Sequence, residues 1–162
     1  RSLGARFGTI TIARGEEVEE KGSRFVALVA FPVPSRGHAD AALSLLRAHP
    51  ALAGADHRIA AYRASDGAEH MDDDGEDRAG SSLRAALRKQ KVVGCAAVVA
   101  RWYGGVNIGK ARFQHIQERA VLLLQALGHR PGNPGALGDR TWARAGVGHR
   151  LGGTAASSSS PA

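Results

Sequence analysis

Asp72-Asp73-Asp74-Gly75-Glu76-Asp77 is the densest run of carboxylates in the chain. Adjacent acids on a loop can hold a divalent cation through oxygen ligands. The calcium-loop pattern is directly testable: with Gly75 at loop position six, position one is His70 and position twelve is Ser81, where acids are needed. The run therefore reads as a solvated acidic turn, and no metal ligand is assigned. A metal-assisted hydrolase using Asp73, Asp74 and Glu76 is the most distant of three functional readings.

Gly104-Gly105-Val106-Asn107-Ile108-Gly109-Lys110-Ala111 lies between an apolar run and a helical pattern, as a phosphate-binding loop does. Such a loop needs a Ser or Thr hydroxyl after the lysine to hold magnesium, and that position is Ala111. The glycines then serve to turn a strand into a helix. For nucleophilic chemistry, Cys95 sits inside an apolar run, where a thiol behaves as a core residue, and no serine stands in a nucleophile elbow. His57, His70 and His115 have no sequence-evident partner. No catalytic residue and no cofactor are assigned, and the chain is expected not to be an enzyme. Arg101-Trp102-Tyr103 offers a different capacity, a cation beside two aromatic rings, of the kind that binds bases or peptides or simply packs at a strand end.

The elements that must position these residues follow from hydropathy. Alternation over Thr9 to Ile12, a turn at Arg14-Gly15 and Val18 among acids predict a hairpin. Phe25 to Val33 and Val92 to Tyr103 are apolar throughout, so both predict buried strands, the second too apolar for an exposed edge. Ala39, Ala42, Leu43 and Leu46 share a helix face that stops at His49-Pro50, and Ile59 to Arg63 is a short strand. Asp66 to Gly80 is expected to be loop, with Ser81 or Ser82 capping the next helix. A last helix runs from about Lys110 to Leu127 with a stripe from Phe113 to Leu127, and Gly128 suits its C-terminal cap.

A chain of 162 residues suits one domain, with room for a core that needs no metal or disulfide. One cysteine excludes a disulfide framework within the chain and a multi-thiolate zinc site. No apolar run approaches the roughly 18 residues of a membrane helix, so the expected location is cytoplasmic with no membrane partner. The net charge of +7 is uneven, +3 from Gly128 onward and +4 in the body, a mild excess that permits RNA as a partner. Arg84, Arg88, Lys89 and Lys91 gather around one predicted helix. The expected organisation is a leader over 1–8, a folded body over 9–128 and a disordered Gly/Pro/Ser-rich tail over 129–162.

Several segments, in order, resemble the Impact family, whose bacterial branch includes the YigZ-type proteins. They are Lys21-Gly22-Ser23-Arg24-Phe25, His57 with Ala61-Tyr62-Arg63, Asp73-Asp74-Gly75-Glu76 with Ala79-Gly80, Arg101-Trp102-Tyr103-Gly104-Gly105 with Ile108-Gly109, and Arg112-Phe113-Gln114-His115-Ile116. The likeness spans about Ile10 to Leu127, and its Trp-Tyr-Gly-Gly form is nearer the eukaryotic branch. It implies an α/β (α+β) fold, a β-α-β sandwich like the second domain of a small-subunit ribosomal protein, with a mixed sheet and helices packed on one face. It also implies translation control. Eukaryotic relatives inhibit the kinase of translation initiation factor two by competing for its activator, largely through an RWD domain that has no counterpart in these residues.

The resulting expectation is a regulatory binding protein whose acidic loop and Arg101–Gly105 turn lie side by side. Its candidate binding residues are Asp73, Asp74, Glu76, Arg101, Trp102, Tyr103, Gly104 and Gly105, with Tyr62, Arg63 and Arg24 from the matching segments. The expected partner is a protein of translation control, either a kinase activator or a ribosome-associated factor. An RNA- or ribosome-binding module is the second reading.

Overall fold

The structure, a computed structural model, describes residues 8–131, 137 and 148–151. The chain runs β1 (Ile10–Arg14), β2 (Val18–Glu20), β3 (Ser23–Phe31), α1 (Arg36–Arg47), a short 3-10 turn (Pro50–Leu52), β4 (His57–Arg63), β5 (Glu69–Asp72), α2 (Ala79–Lys89), β6 (Cys95–Trp102), α3 (Ala111–Ala126) and β7 (Gly148–Leu151). Strand order across the single sheet is β5-β4-β6-β3-β1-β7, with β2 also on β3. The α/β class agrees with the sequence reading.

Two details of that reading change. Every strand pairing among the described residues is antiparallel rather than mixed. The helices also divide between the two faces of the sheet instead of sharing one. The reason is visible in the central strands, which are apolar at every position and so need cover on both sides. On β3, Phe25, Ala27, Val29 and Phe31 join Cys95, Ala97 and Val99 of β6 beneath α2 and α3. The alternate residues Val26, Leu28 and Ala30 join Ala96, Val98 and Ala100 beneath α1. The apolar segment around Cys95 lies at the centre of the sheet, between β4 and β3.

The expected hairpin at Arg14-Gly15 is placed elsewhere. β1 and β2 both lie along β3 and do not pair with each other. The tight hairpin joins β2 to β3 through Lys21 and Gly22, at φ of 49° and 87°. Two consecutive positive φ values are what a two-residue turn matching the strand twist requires. The expected loop over Asp66 to Gly80 also contains a strand, β5, at the sheet edge. Its carboxylates concealed it: Glu69 pairs with Arg63 and Arg88, and Asp72 with Arg47. The Arg88 guanidinium, followed by that of Arg63, holds the Glu69 carboxyl below its usual range.

Helix α2 begins at Ala79, and neither Ser81 nor Ser82 caps it. Asp73 supplies the cap from outside the helix, its carboxylate accepting the backbone N–H of Arg78 at 3.2 Å and of Gly80 at 2.7 Å. At the other end of the body, Gly128 at φ 92° closes α3. Its N–H donates to the Gln125 carbonyl and that of His129 to the Leu124 carbonyl, a paired C-terminal cap. His129 is buried and reaches the Gln90 carbonyl at 2.7 Å, so the packed body continues past residue 128. Gly148–Leu151, inside the stretch expected to be a tail, pairs with β1. Apart from Gly8 and these tail positions, the leader and most of 132–162 lie outside the described residues.

Candidate functional site

One end of the sheet gathers the start of β3, the start of β4 and the end of β6, because antiparallel pairing places His57 and Phe25 on either side of Arg101. The acidic loop that leads from β5 into α2 folds over the same end. Its last turn is formed by Asp74 and Gly75, both at positive φ (45° and 85°). A Cβ on Gly75 would come within 3.2 Å of the His57 ring.

At the centre stands Glu76, whose side chain is 9% exposed, facing Arg101 at 6%. Arg101 Nη1 lies 3.0 Å from both carboxylate oxygens of Glu76, and Arg112 Nε lies 3.0 Å from Oε2. His57 Nε2 stands 3.6 Å from Oε1, and its Nδ1 pairs with the Asp74 carbonyl oxygen at 2.8 Å. One carboxylate thus organises two guanidinium groups from two different elements, β6 and the first turn of α3. Arg101 Nη2 donates to the Ser23 hydroxyl at 3.3 Å, which also accepts the Gly104 N–H at 3.2 Å. The Arg101 guanidinium lies 5.5 Å from the ring centres of Phe25 and Tyr103.

The segment that follows Arg101 and Trp102 is exposed. Tyr103 is 53% exposed and Val106 46%. Gly104 and Gly105 present bare backbone beside them, and the Tyr103 N–H is held by Asp56 at 2.7 Å. Gly104 permits a close crossing: a Cβ there would meet the Gly22 carbonyl carbon at 2.1 Å, so the β2–β3 turn and the segment after β6 touch backbone to backbone. On the α1 side of the sheet, the Arg24 guanidinium stacks 4.4 Å over Trp102, whose Nε1 donates to the Ala53 carbonyl at 3.1 Å. Arg24 is also paired with Glu17, which pulls the Glu17 carboxyl below its usual range.

Of the residues singled out from sequence, Asp73, Asp74, Glu76, Arg101, Trp102, Tyr103, Gly104, Gly105 and Arg24 therefore share one end of the molecule. Their positions do not imply equal roles. Asp73 caps α2, and Asp74 accepts the Arg58 N–H at 2.7 Å, so both act on the protein's own backbone. Tyr62 and Arg63 lie at the opposite end of β4: Tyr62 is buried in the core under α1, and Arg63 joins Glu69 and the Val92 carbonyl. Along the seven-residue strand, His57 and Arg63 stand at opposite ends, about 20 Å apart. Ser23, Asp56, His57 and Arg112 are not among the candidate binding residues, although Ser23, His57 and Arg112 fall within the motif segments that carry the family likeness.

Cys95 is fully buried, and burial pushes its thiol up to about 12, leaving essentially no thiolate near neutrality. The carboxylates of Asp72, Asp73, Asp74 and Glu76 each face an arginine or a backbone N–H. Among the described residues no three His, Cys, Asp or Glu side chains converge as cation ligands. No helix among them is long and apolar enough to cross a membrane.

The sequence model of the Impact N-terminal domain matches residues 21–124. The Protein IMPACT homolog of Saccharomyces cerevisiae is 37% identical over 110 residues, covering 65% of this chain and 42% of that protein. A solved structure described only as a hypothetical protein superimposes with a TM-score of 0.60 at 27% identity, covering 72% of this chain and 60% of the other. The two-domain translational regulator Yih1 is 34% identical with a TM-score of 0.49, covering 70% and 46% respectively. The chain spans less than half the length of the yeast relative it matches.

Proposed function

Because the chain belongs to the family of the Impact N-terminal domain, we propose that it is a non-enzymatic binding protein of translation control whose partner-binding face is the Tyr103–Val106 surface and its surroundings. The observation that carries this reading is the contrast between the buried Arg101–Glu76–Arg112 cluster and the exposed Tyr103, whose ring centre lies 5.5 Å from the Arg101 guanidinium, with Val106 exposed on the same segment. Exposed aromatic and aliphatic side chains on a rigid base lose little freedom on docking, the usual condition for a binding anchor. The partner is a protein: an activator of the kinase that phosphorylates initiation factor two, or a ribosome-associated factor.

The use of the Asp73, Asp74 and Glu76 carboxylates on the protein's own groups supports binding over catalysis by the acidic loop. The basic cluster on α2 is less favourable to RNA than its sequence suggests, because Arg88 is held by Glu69 at 2.5 Å. The direct test measures binding of the intact chain to purified kinase activator and, separately, to purified ribosomes. Tyr103→Ala combined with Val106→Ser is expected to weaken the productive interaction at least tenfold, the loss of two central anchors, while leaving thermal unfolding unchanged. Unaltered affinity for both partners would overturn the assignment of this face. Ribosome affinity that falls steeply with salt and ignores the two substitutions would instead point to phosphate contacts elsewhere.

A further inference from the structure

The surface around Tyr103 and Val106 is one-sided in which of its charges are left unused. The carboxylates at this end of the sheet are taken up by the protein's own donors. Asp56 accepts the Tyr103 N–H, Asp74 the Arg58 N–H and Glu76 two guanidinium groups, while Glu20 pairs with His115 of α3. Glu19 stands opposite Arg24 in register and so shares its side of the sheet, the α1 side. Two ammonium groups are in the contrary condition. Lys21 and Lys110 are exposed, and among the described residues neither has a hydrogen bond or an ion pair. They flank the surface: Lys21 adjoins Gly22, whose backbone Gly104 crosses, and Lys110 closes the loop that carries Val106, just before α3. Between them, the N–H groups of Gly105 and Val106 meet no backbone acceptor among the described residues. Exposed apolar side chains are thus bordered by donors that the chain itself does not use.

We infer that the segment bound on this surface is acidic: a stretch of a partner protein with carboxylates on either side of an apolar anchor. The inference rests on the binding face proposed above and names the chemistry of its occupant. A partner that covers Tyr103 and Val106 also takes water from the neighbouring ammonium and N–H groups, and donors covered without an acceptor cost affinity. Carboxylates supply those acceptors in charge-assisted hydrogen bonds. The phosphates of a nucleic acid fit less well. The planar guanidinium forks that suit phosphate are already engaged, Arg101 and Arg112 by Glu76 and Arg24 by Glu17. The exposed Asp56 and Asp77 would also repel a continuous polyanion, whereas a short peptide can place its acids away from them.

The test titrates the full chain, with amide signals followed by nuclear magnetic resonance, against three probes: a short peptide of alternating glutamate and leucine, its lysine–leucine counterpart and an oligo-uridylate. The acidic peptide is expected to shift the amides of Tyr103 to Val106 saturably, and the basic peptide to leave them in place. Lys21→Glu combined with Lys110→Glu should weaken the acidic peptide at least about tenfold, because like charges then face each other, with thermal unfolding unchanged. No saturable shift with the acidic peptide, an equal shift with the basic one, or tighter binding of oligo-uridylate at the same amides would overturn the inference. The two readings fail differently. Acidic-peptide binding that is weakened by Tyr103→Ala with Val106→Ser but untouched by the charge reversal sinks the acidic partner and leaves the face standing; binding indifferent to both pairs of substitutions sinks the face as well.

Discussion

Replacing Glu76 by Gln keeps the shape of the side chain and removes its charge. Arg101, 6% exposed, and Arg112 would then face each other across a neutral amide, with the Arg101 Nε already lacking a hydrogen-bond partner. Breaking a buried ion pair by removing one partner destabilises by about 3–5 kcal/mol, because the remaining charge stays in a poorly solvating interior. Some relief comes from Arg112, whose side chain is 20% exposed and can turn towards water. The lower end of the range, about 3 kcal/mol, is therefore expected. Urea denaturation followed by far-ultraviolet circular dichroism measures it, as a lowered midpoint at an unchanged slope. A double-mutant cycle with Arg101→Met then isolates the pair: once the carboxylate is neutral, losing the Arg101 charge should cost much less than it does in the native background. A Glu76→Gln change below about 1 kcal/mol, within the range of an exposed salt bridge, would refute the view that this carboxylate organises the end of the sheet.

Two neighbouring glycines should respond differently to alanine. Gly104→Ala places a methyl group 2.1 Å from the Gly22 backbone and is expected to destabilise by several kcal/mol, whereas Gly105→Ala, at φ 89° with open space around it, should cost only about 1–2 kcal/mol of left-handed strain; thermal unfolding of the pair measures the difference. Cys95, fully buried with its thiol pushed up to about 12, should react with an excess of iodoacetamide at pH 8 only as fast as the protein opens, so that labelling rises in step with the unfolded fraction in urea, and rapid native labelling would contradict the assigned burial.

The sequence made the centre of the fold readable because uninterrupted apolar strands have few alternatives. Phe25 and Cys95 fall in strands buried on both faces, and the Phe113 to Leu127 stripe became α3. The division of helices between faces was not legible, since an apolar run records that both faces are covered without recording by what. β5 is hidden in the sequence because Glu69 and Asp72 look like loop residues until their arginine partners, distant in sequence, are known. The start of α2 is hidden in the same way, because Asp73, outside the helix, supplies the oxygen that a capping serine otherwise would. Proximity of the acidic loop to the Arg101 turn could be anticipated from loops meeting at one sheet end. Tyr62 and Arg63 show the limit of that reasoning: a motif shared with a family fixes neither the direction of a strand nor which end of it faces the site.

The placement of β6 between β3 and β4 has a consequence for biosynthesis. The strand that joins the two halves of the sheet is made after both of its neighbours. Until Cys95–Trp102 leaves the ribosome, the β1–β3 unit and the β4–β5 hairpin each carry an apolar edge with nothing to bridge them. Such late, non-local closure slows folding and leaves nascent chains prone to association. Chains interrupted before residue 95 should therefore aggregate rather than persist as half-domains, making the fold dependent on prompt synthesis of β6.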